Sequence, residues 1–315
     1  MHAKTITRNL TIAAATLLVL ELTIGTTATY GIKKFYGLDQ HSDILLIGHS
    51  QLMLATDKEQ MEKGLGLKIS KFCREGTDIN DLHAMSRMYL DSPQADSLKY
   101  VIYGVDPYSF TPEGLSANSY KALYPLIYAK DMEAYIKKQA DPLDYFLKKH
   151  IPTHRFNEDM TKNASLRGLM NDWSNKKAGM IDIEAYKRQL HDSGERNIQM
   201  DPRLMATFDK TIQLFTRRNI KVILLTPPTL DLLNDSHPRQ FKAMTAWYAA
   251  YAQQNPLVEY WDFNHEYSSR HELFFDRLHV NAQGQEKVSA AITRKLIETH
   301  THTPRHDISR NTPIQ

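Results

Sequence analysis

One cysteine, Cys73, stands among 315 residues. A single thiol excludes an intramolecular disulfide and any zinc site built from several cysteines. Cys73 closes the apolar run Leu67 to Phe72 and precedes Arg74 and Glu75, which reads as a small buried residue in preference to a nucleophile. A chain without disulfides fits the cytoplasm, and it equally fits an envelope domain of this size. Charge of one sign is lacking too. With 39 basic against 36 acidic residues the net charge is +3, too balanced for a nucleic-acid footprint. The basic runs are short, Lys148-Lys149-His150 and Arg217-Arg218, and read as solvated faces. No internal repeat is present.

What remains is ordinary globular material, 42% hydrophobic and 24% charged, enough for one or two domains with a substantial core. The exception is the amino terminus. Leu10 to Ile32 is one hydrophobic stretch, densest to Leu20, with Lys4 and Arg8 before it and Lys33 and Lys34 after it. About 20 residues cross a bilayer as a helix. The stretch meets that length if Glu21 and several threonines are accommodated, and threonine hydroxyls can bond back to helix carbonyls. Three readings stand: a single-span anchor over residues 1–34, a signal peptide cleaved near Thr26-Thr27-Ala28, or a buried soluble helix. The anchor is favoured, with the amino terminus inside and the following domain on the periplasmic or extracellular side. Glu21 is then a candidate contact for a partner membrane helix, or sits protonated, or snorkels.

Beyond the anchor, strand-like and helix-like runs alternate. Strands are expected at 43–48, 67–72, 100–104, 221–226 and 258–262, with helices at 52–63, at 78–90 capped by Asp78, and at 281–299. This rhythm predicts an α/β fold, a doubly wound, flavodoxin-like parallel sheet flanked by helices, over 35–299. Residues 111–200 break the rhythm and read as a mostly helical insertion covering one edge of the sheet, a lid or docking surface. Residues 300–315 read as a disordered tail in which His300, His302 and His306 could hold metal adventitiously.

In doubly wound sheets, functional groups collect at the carboxyl ends of the strands. The first strand ends in Gly48-His49-Ser50, placing a serine on the turn into a helix, whose amino terminus offers backbone N–H groups to an oxyanion. A serine needs a base. Near the far end the sequence reads Asp276-Arg277-Leu278-His279 on a loop opening a helix, so one carboxylate can orient one imidazole. Gly284 permits tight packing where that helix starts. Alone, Ser50 reads as a helix cap and Asp-x-x-His as chance; the pairing is more specific. His265 and His271 precede this loop and read as surface residues or cleft lining. Tyr103, Tyr108 and Phe110 read as core or cleft wall before a sugar platform.

Together these motifs resemble the first and last blocks of the SGNH (GDSL-like) hydrolases, over roughly Asp43 to Phe110 and Lys221 to Leu296. The family's Gly-Asp-Ser stands here as Gly48-His49-Ser50, and its closing Asp-x-x-His is intact. The resemblance implies acyl transfer with Ser50 as nucleophile, His279 as base and Asp276 as its orienting carboxylate, with no metal or other cofactor. It assigns an oxyanion donor to Gly76. It expects an asparagine where Gly104-Val105-Asp106 has an aspartate. An ionised Asp106 cannot donate, so Asp106 is protonated, Asn80 substitutes, or only backbone donors serve. An anchored, divergent SGNH domain is similar to the D-alanine transfer protein of teichoic-acid alanylation and to the SGNH-like proteins of alginate or peptidoglycan O-acetylation. That similarity implies a cell-surface glycan or acyl donor as substrate and a membrane-bound O-acyltransferase as partner. The departures at His49 and Asp106 keep a second reading open, a non-catalytic assembly factor.

Overall fold

The computed structural model describes residues 2–112, 118–193 and 197–301. The amino-terminal stretch is one helix, α1 (His2–Tyr36), long and apolar enough to cross a membrane. Its outer part exposes Leu10, Ile12, Leu17, Leu18 and Leu20, whereas Ile32 and Tyr36 at its inner end are buried in the domain core. Within the chain the Glu21 carboxylate accepts the Thr153 N–H at 2.7 Å and the Thr153 hydroxyl at 2.8 Å. The physical reason is local. A carboxylate on an apolar helix takes the nearest donors, and a turn of the insertion supplies two.

The core is a five-stranded, all-parallel sheet of β1 (Ile44–Gly48), β2 (Ile69–Cys73), β3 (Tyr100–Gly104), β4 (Lys221–Thr226) and β5 (Val258–Asp262) in the order β2-β1-β3-β4-β5. The short apolar runs of β1, β3 and β4 are nearly continuous because both faces are covered. Alternate residues feed two cores. Leu45, Ile47, Phe72, Val101, Tyr103 and Leu224 face one side, and Ile44, Leu46, Ile69, Cys73, Ile102 and Ile223 the other. The second strand is expected over 67–72 and begins two residues later, because Leu67 and Lys68 form the turn into it.

Around the sheet run α2 (Ser50–Ala55), α3 (Lys58–Leu65), α4 (Ile79–Leu90), α5 (Lys130–Gln139), α6 (Pro142–His150), α7 (Asp159–Met170), α8 (Ile183–Ser193), α9 (Pro202–Thr216), α10 (Asp231–Asn234), α11 (Pro238–Gln253), α12 (Asn264–Tyr267) and α13 (Ala282–Thr301). The single helix expected over 52–63 is two. Asp57 breaks it with extended dihedrals and caps α3 by accepting the Gln60 N–H at 3.1 Å. Asp78 caps α4 as expected, and Asp81 closes a reciprocal capping box. The final helix runs on to Thr301; His302 and His306 lie outside the described residues.

The stretch 111–200 is mostly helical in its described residues. It runs from α5 against α4, along α1, and round to the carboxyl end of the sheet. The seam between α1 and α7 is closed by Gly31 and Gly168, where a Cβ on Gly168 would overlap the Gly31 carbonyl. Ser165 Oγ donates to the Ala28 carbonyl at 2.8 Å in the same seam. Farther on, Asn175 Nδ2 donates to the Met53 carbonyl on α2, and the Ile181 N–H to the Phe274 carbonyl at 3.0 Å. Lys148 is not on a solvated face: it is buried, 3.1 Å from Asp144 and over the Tyr124 ring. Arg218 donates to the Leu90 carbonyl.

Candidate active site

The strand order reverses between β1 and β3, so a crevice opens beyond Gly48 and Gly104. Both positions are tight for a side chain: a Cβ on Gly48 would meet Gly104 Cα at 3.2 Å, and one on Gly104 would meet Leu52 Cβ at 2.9 Å. The two glycines let α2 descend onto the strand ends, with Ser50 as its first residue. The Ser50 N–H has no acceptor one turn back along α2, as helix geometry dictates for a first residue.

His279 comes from the other end of the chain. Its loop is shaped by an antiparallel bridge between Phe274 and Val280 and by the Phe275 N–H donating to the His279 carbonyl at 2.8 Å. The Asp276 carboxylate turns inward and accepts the N–H groups of Leu278 at 2.8 Å and His279 at 2.9 Å. It also meets His279 Nδ1 at 2.9 and 3.0 Å, while His279 Nε2 lies 2.8 Å from Ser50 Oγ. With Nδ1 donating to the carboxylate, Nε2 is the lone pair presented to the serine hydroxyl. Burial alone would raise the Asp276 carboxyl; hydrogen bonding and charge from His279, with the two backbone N–H groups, bring it below the usual carboxylate value.

Several contacts brace this loop. Asn281 Oδ1 caps α13 through the N–H groups of Gln283 and Gly284 at 3.1 Å, and Asn281 Nδ2 holds the Glu272 carbonyl at 2.8 Å. Gln285 Nε2 donates to the Leu54 carbonyl at 2.8 Å, tying α13 to α2. A Cβ on Gly284 would collide with the Leu273 carbonyl, so the close packing there requires glycine. His271 is half-buried, with Nε2 2.8 Å from Asp231, and His265 is exposed; neither joins Ser50. Gln285 and Asn175, which steady the site from a distance, carry no sequence signal. Asn281 does, as an amide placed to cap a helix.

His49 and Asp106 sit together on the other flank of Ser50. The Gln51 N–H donates to His49 Nδ1 at 3.4 Å, which leaves the proton on Nε2, 3.1 Å from Asp106 Oδ2. Asp106 Oδ1 accepts the Tyr108 N–H at 2.7 Å and the Ser109 hydroxyl at 3.1 Å. Burial opposes its ionisation, but the nearby His49 ring, whose Nε2 closes no well-aligned hydrogen bond, and these donors hold the carboxyl below its ordinary value. These contacts favour the carboxylate form, with Asp106 committed as an acceptor.

A narrow cleft of about 80 Å³ opens here, lined by His49, Asp78, Asn80, Asp106, Tyr108 and Leu204. It holds Asn80 near the pair. Gly76 adopts a φ of 74°, the left-handed region that side chains resist, and lies in the adjoining groove with Asn118 and Ser119. Tyr103 and Phe110 are fully buried core and Tyr108 is cleft wall. Cys73 is buried, its thiol pushed by burial up to about 12, the state of an inert packing residue.

No family model and no curated protein matches the chain. Solved structures are similar to it at depth. One, described as a platelet activating factor from Streptococcus pneumonia, shares 12% identity at a TM-score of 0.38, covering 91% of this chain and 99% of its own. The C-terminal catalytic domain of Streptococcus pneumoniae peptidoglycan O-acetyltransferase A, with a methylsulfonyl adduct, shares 12% identity at 0.38, covering 83% and 96%. A lipase from a goat rumen metagenome shares 14% at 0.33, covering 80% and 95%. At this divergence only the atoms of the site speak to chemistry.

Proposed function

We propose that this chain is a membrane-anchored, SGNH-type serine O-acyltransferase or esterase that acts on acyl groups of a cell-envelope polysaccharide through an acyl-Ser50 intermediate. The observation that carries the proposal is the hydrogen-bonded chain from Ser50 Oγ through His279 to Asp276, with links of 2.8 and 2.9 Å. In this reading Ser50 Oγ attacks the acyl carbonyl while its proton passes to His279 Nε2. Asp276 stabilises the imidazolium without taking the proton. The tetrahedral oxyanion is met by the backbone N–H groups of Ser50 and Gly76, with Asn80 as the side-chain candidate. Collapse returns the proton from His279 to the departing oxygen and leaves the acyl group on Ser50. Water or a sugar hydroxyl, deprotonated by His279, then takes that group. No step needs a metal or cofactor.

The apolar length of α1 supports the anchored half of the proposal, with the domain outside and a membrane-bound O-acyltransferase as the partner that delivers acyl groups. Labelling purified protein with a serine-directed fluorophosphonate, read by intact mass and peptide mapping, is the test. One adduct on Ser50, lost in His279→Ala, is expected; a folded protein that takes no label sinks the enzymatic reading.

A second reading is a non-catalytic assembly factor. Asp106 favours it, because an acceptor stands where the resembled family has a donor. Ser50→Ala separates the two: retained glycan acylation in cells at normal protein level supports the assembly role, and its loss supports chemistry.

A further inference from the structure

We infer that the seam between α1, the end of β2 and α7 is a binding site for a compact oxyanion, a phosphate or carboxylate group, held by Arg74 and Arg167. Arg74 follows β2 and is only 4% exposed. Its partners are two neutral hydroxyls, Tyr36 Oη at 2.7 Å and Thr161 Oγ1 at 2.8 Å, and its Nε–H is buried with no acceptor. It makes no ion pair among the described residues. A buried guanidinium that meets no carboxylate is costly unless an anion completes it.

Arg167 points to the same place. Its Nε donates to Asp172 at 3.1 Å, its guanidinium carbon lies 5.0 Å from the Phe35 ring centroid, and one terminal nitrogen is buried without an acceptor. Both arginines line a pocket of about 100 Å³ with Tyr36, Met53, Glu75 and Asn163. Glu75 is the one carboxylate there, and it pairs with neither guanidinium. Charge nearby adds to the imbalance. Buried Lys71, which donates to the Thr56 carbonyl, adds a third basic group on the neighbouring strand. Two orphaned N–H donors on planar forks suit an oxygen-rich anion better than a halide.

The site's place gives it a use. Its pocket shares Arg74, Glu75 and Met160 with the larger groove, about 570 Å³, that holds Gly76, and it shares Met53 with the helix that begins at Ser50. An anionic ligand gripped at α1 would thus lie beside the groove that holds Gly76. The anion site stands on its own atoms and does not require Ser50 to be reactive.

Native mass spectrometry and calorimetry of the full chain in neutral detergent test it. One arm titrates inorganic phosphate, and the other adds phosphatidylglycerol or, as control, phosphatidylcholine. Saturable uptake of one phosphate assigns a soluble anion. Retention of phosphatidylglycerol alone assigns a lipid headgroup. In either case Arg167→Met weakens binding about tenfold or more, and the exposed control Lys162→Met does not. Arg74→Met abolishes binding where it folds; where it does not, Arg167→Met decides. Absence of saturable binding in both arms, or equal binding by Arg167→Met, overturns the assignment.

Discussion

His49 Nε2 lies 3.1 Å from Asp106 Oδ2, with both side chains buried at the edge of the crevice. These are the two positions at which the sequence departs from the motifs it resembles, and the structure places them side by side. The consequence is testable by exchange. Asp106→Asn alone and His49→Asp alone each break a buried pair, at about 3–5 kcal/mol of stability. The double variant places an amide donor opposite a carboxylate and is expected to recover about 0.5–3 kcal/mol in a denaturation cycle. Additive losses would show that the two residues act independently.

Asp276 acts on Ser50 through His279 and leaves a separate signature. Asp276→Asn keeps the shape of the loop and lets the imidazole adopt the wrong tautomer. Fluorophosphonate labelling of Ser50 is expected to slow on the order of 10⁴-fold with little change in thermal stability. A rate within a few-fold of the parent would exclude the carboxylate from the relay.

The acid limb of stability follows from the same carboxyls. Asp106 and Asp276 are both held below the ordinary aspartate value in the folded protein. A depressed carboxyl binds fewer protons folded than unfolded, so its contribution is complete above about 3.8 and lost as pH falls through the folded value. Denaturant midpoints measured from pH 6 down to pH 2 should therefore fall most steeply below 4. Asp106→Asn should start lower at pH 6 and converge with the parent in acid; a constant offset across the range would contradict the linkage.

The α1–α7 seam depends on two residues without side chains. Gly168→Val drives a branched side chain into the Gly31 carbonyl. A loss of about 1–3 kcal/mol is expected, with faster tryptic cleavage after Arg155 and Lys162 as α7 lifts away. Unchanged protection would mean that α7 is held by its other contacts.

Much of this protein was determined along the chain. The apolar runs of β1, β3 and β4, which burial on both faces of a parallel sheet demands, and the cap at Asp78 are local patterns. Ser50, Asp276 and His279 could be singled out for the same reason: a strand-end glycine and serine, and an acid three residues before a histidine, are constraints of short range. The break at Asp57, the Thr153 partner of Glu21 and the seating of Arg74 between Tyr36 and Thr161 were not legible. Each depends on groups 38 to 132 residues apart or on a helix that two good local patterns would have continued. Only the tertiary structure decides which distant donor reaches a buried charge first. For the same reason it alone shows that His49 and Asp106, each an apparent fault when read singly, are one contact.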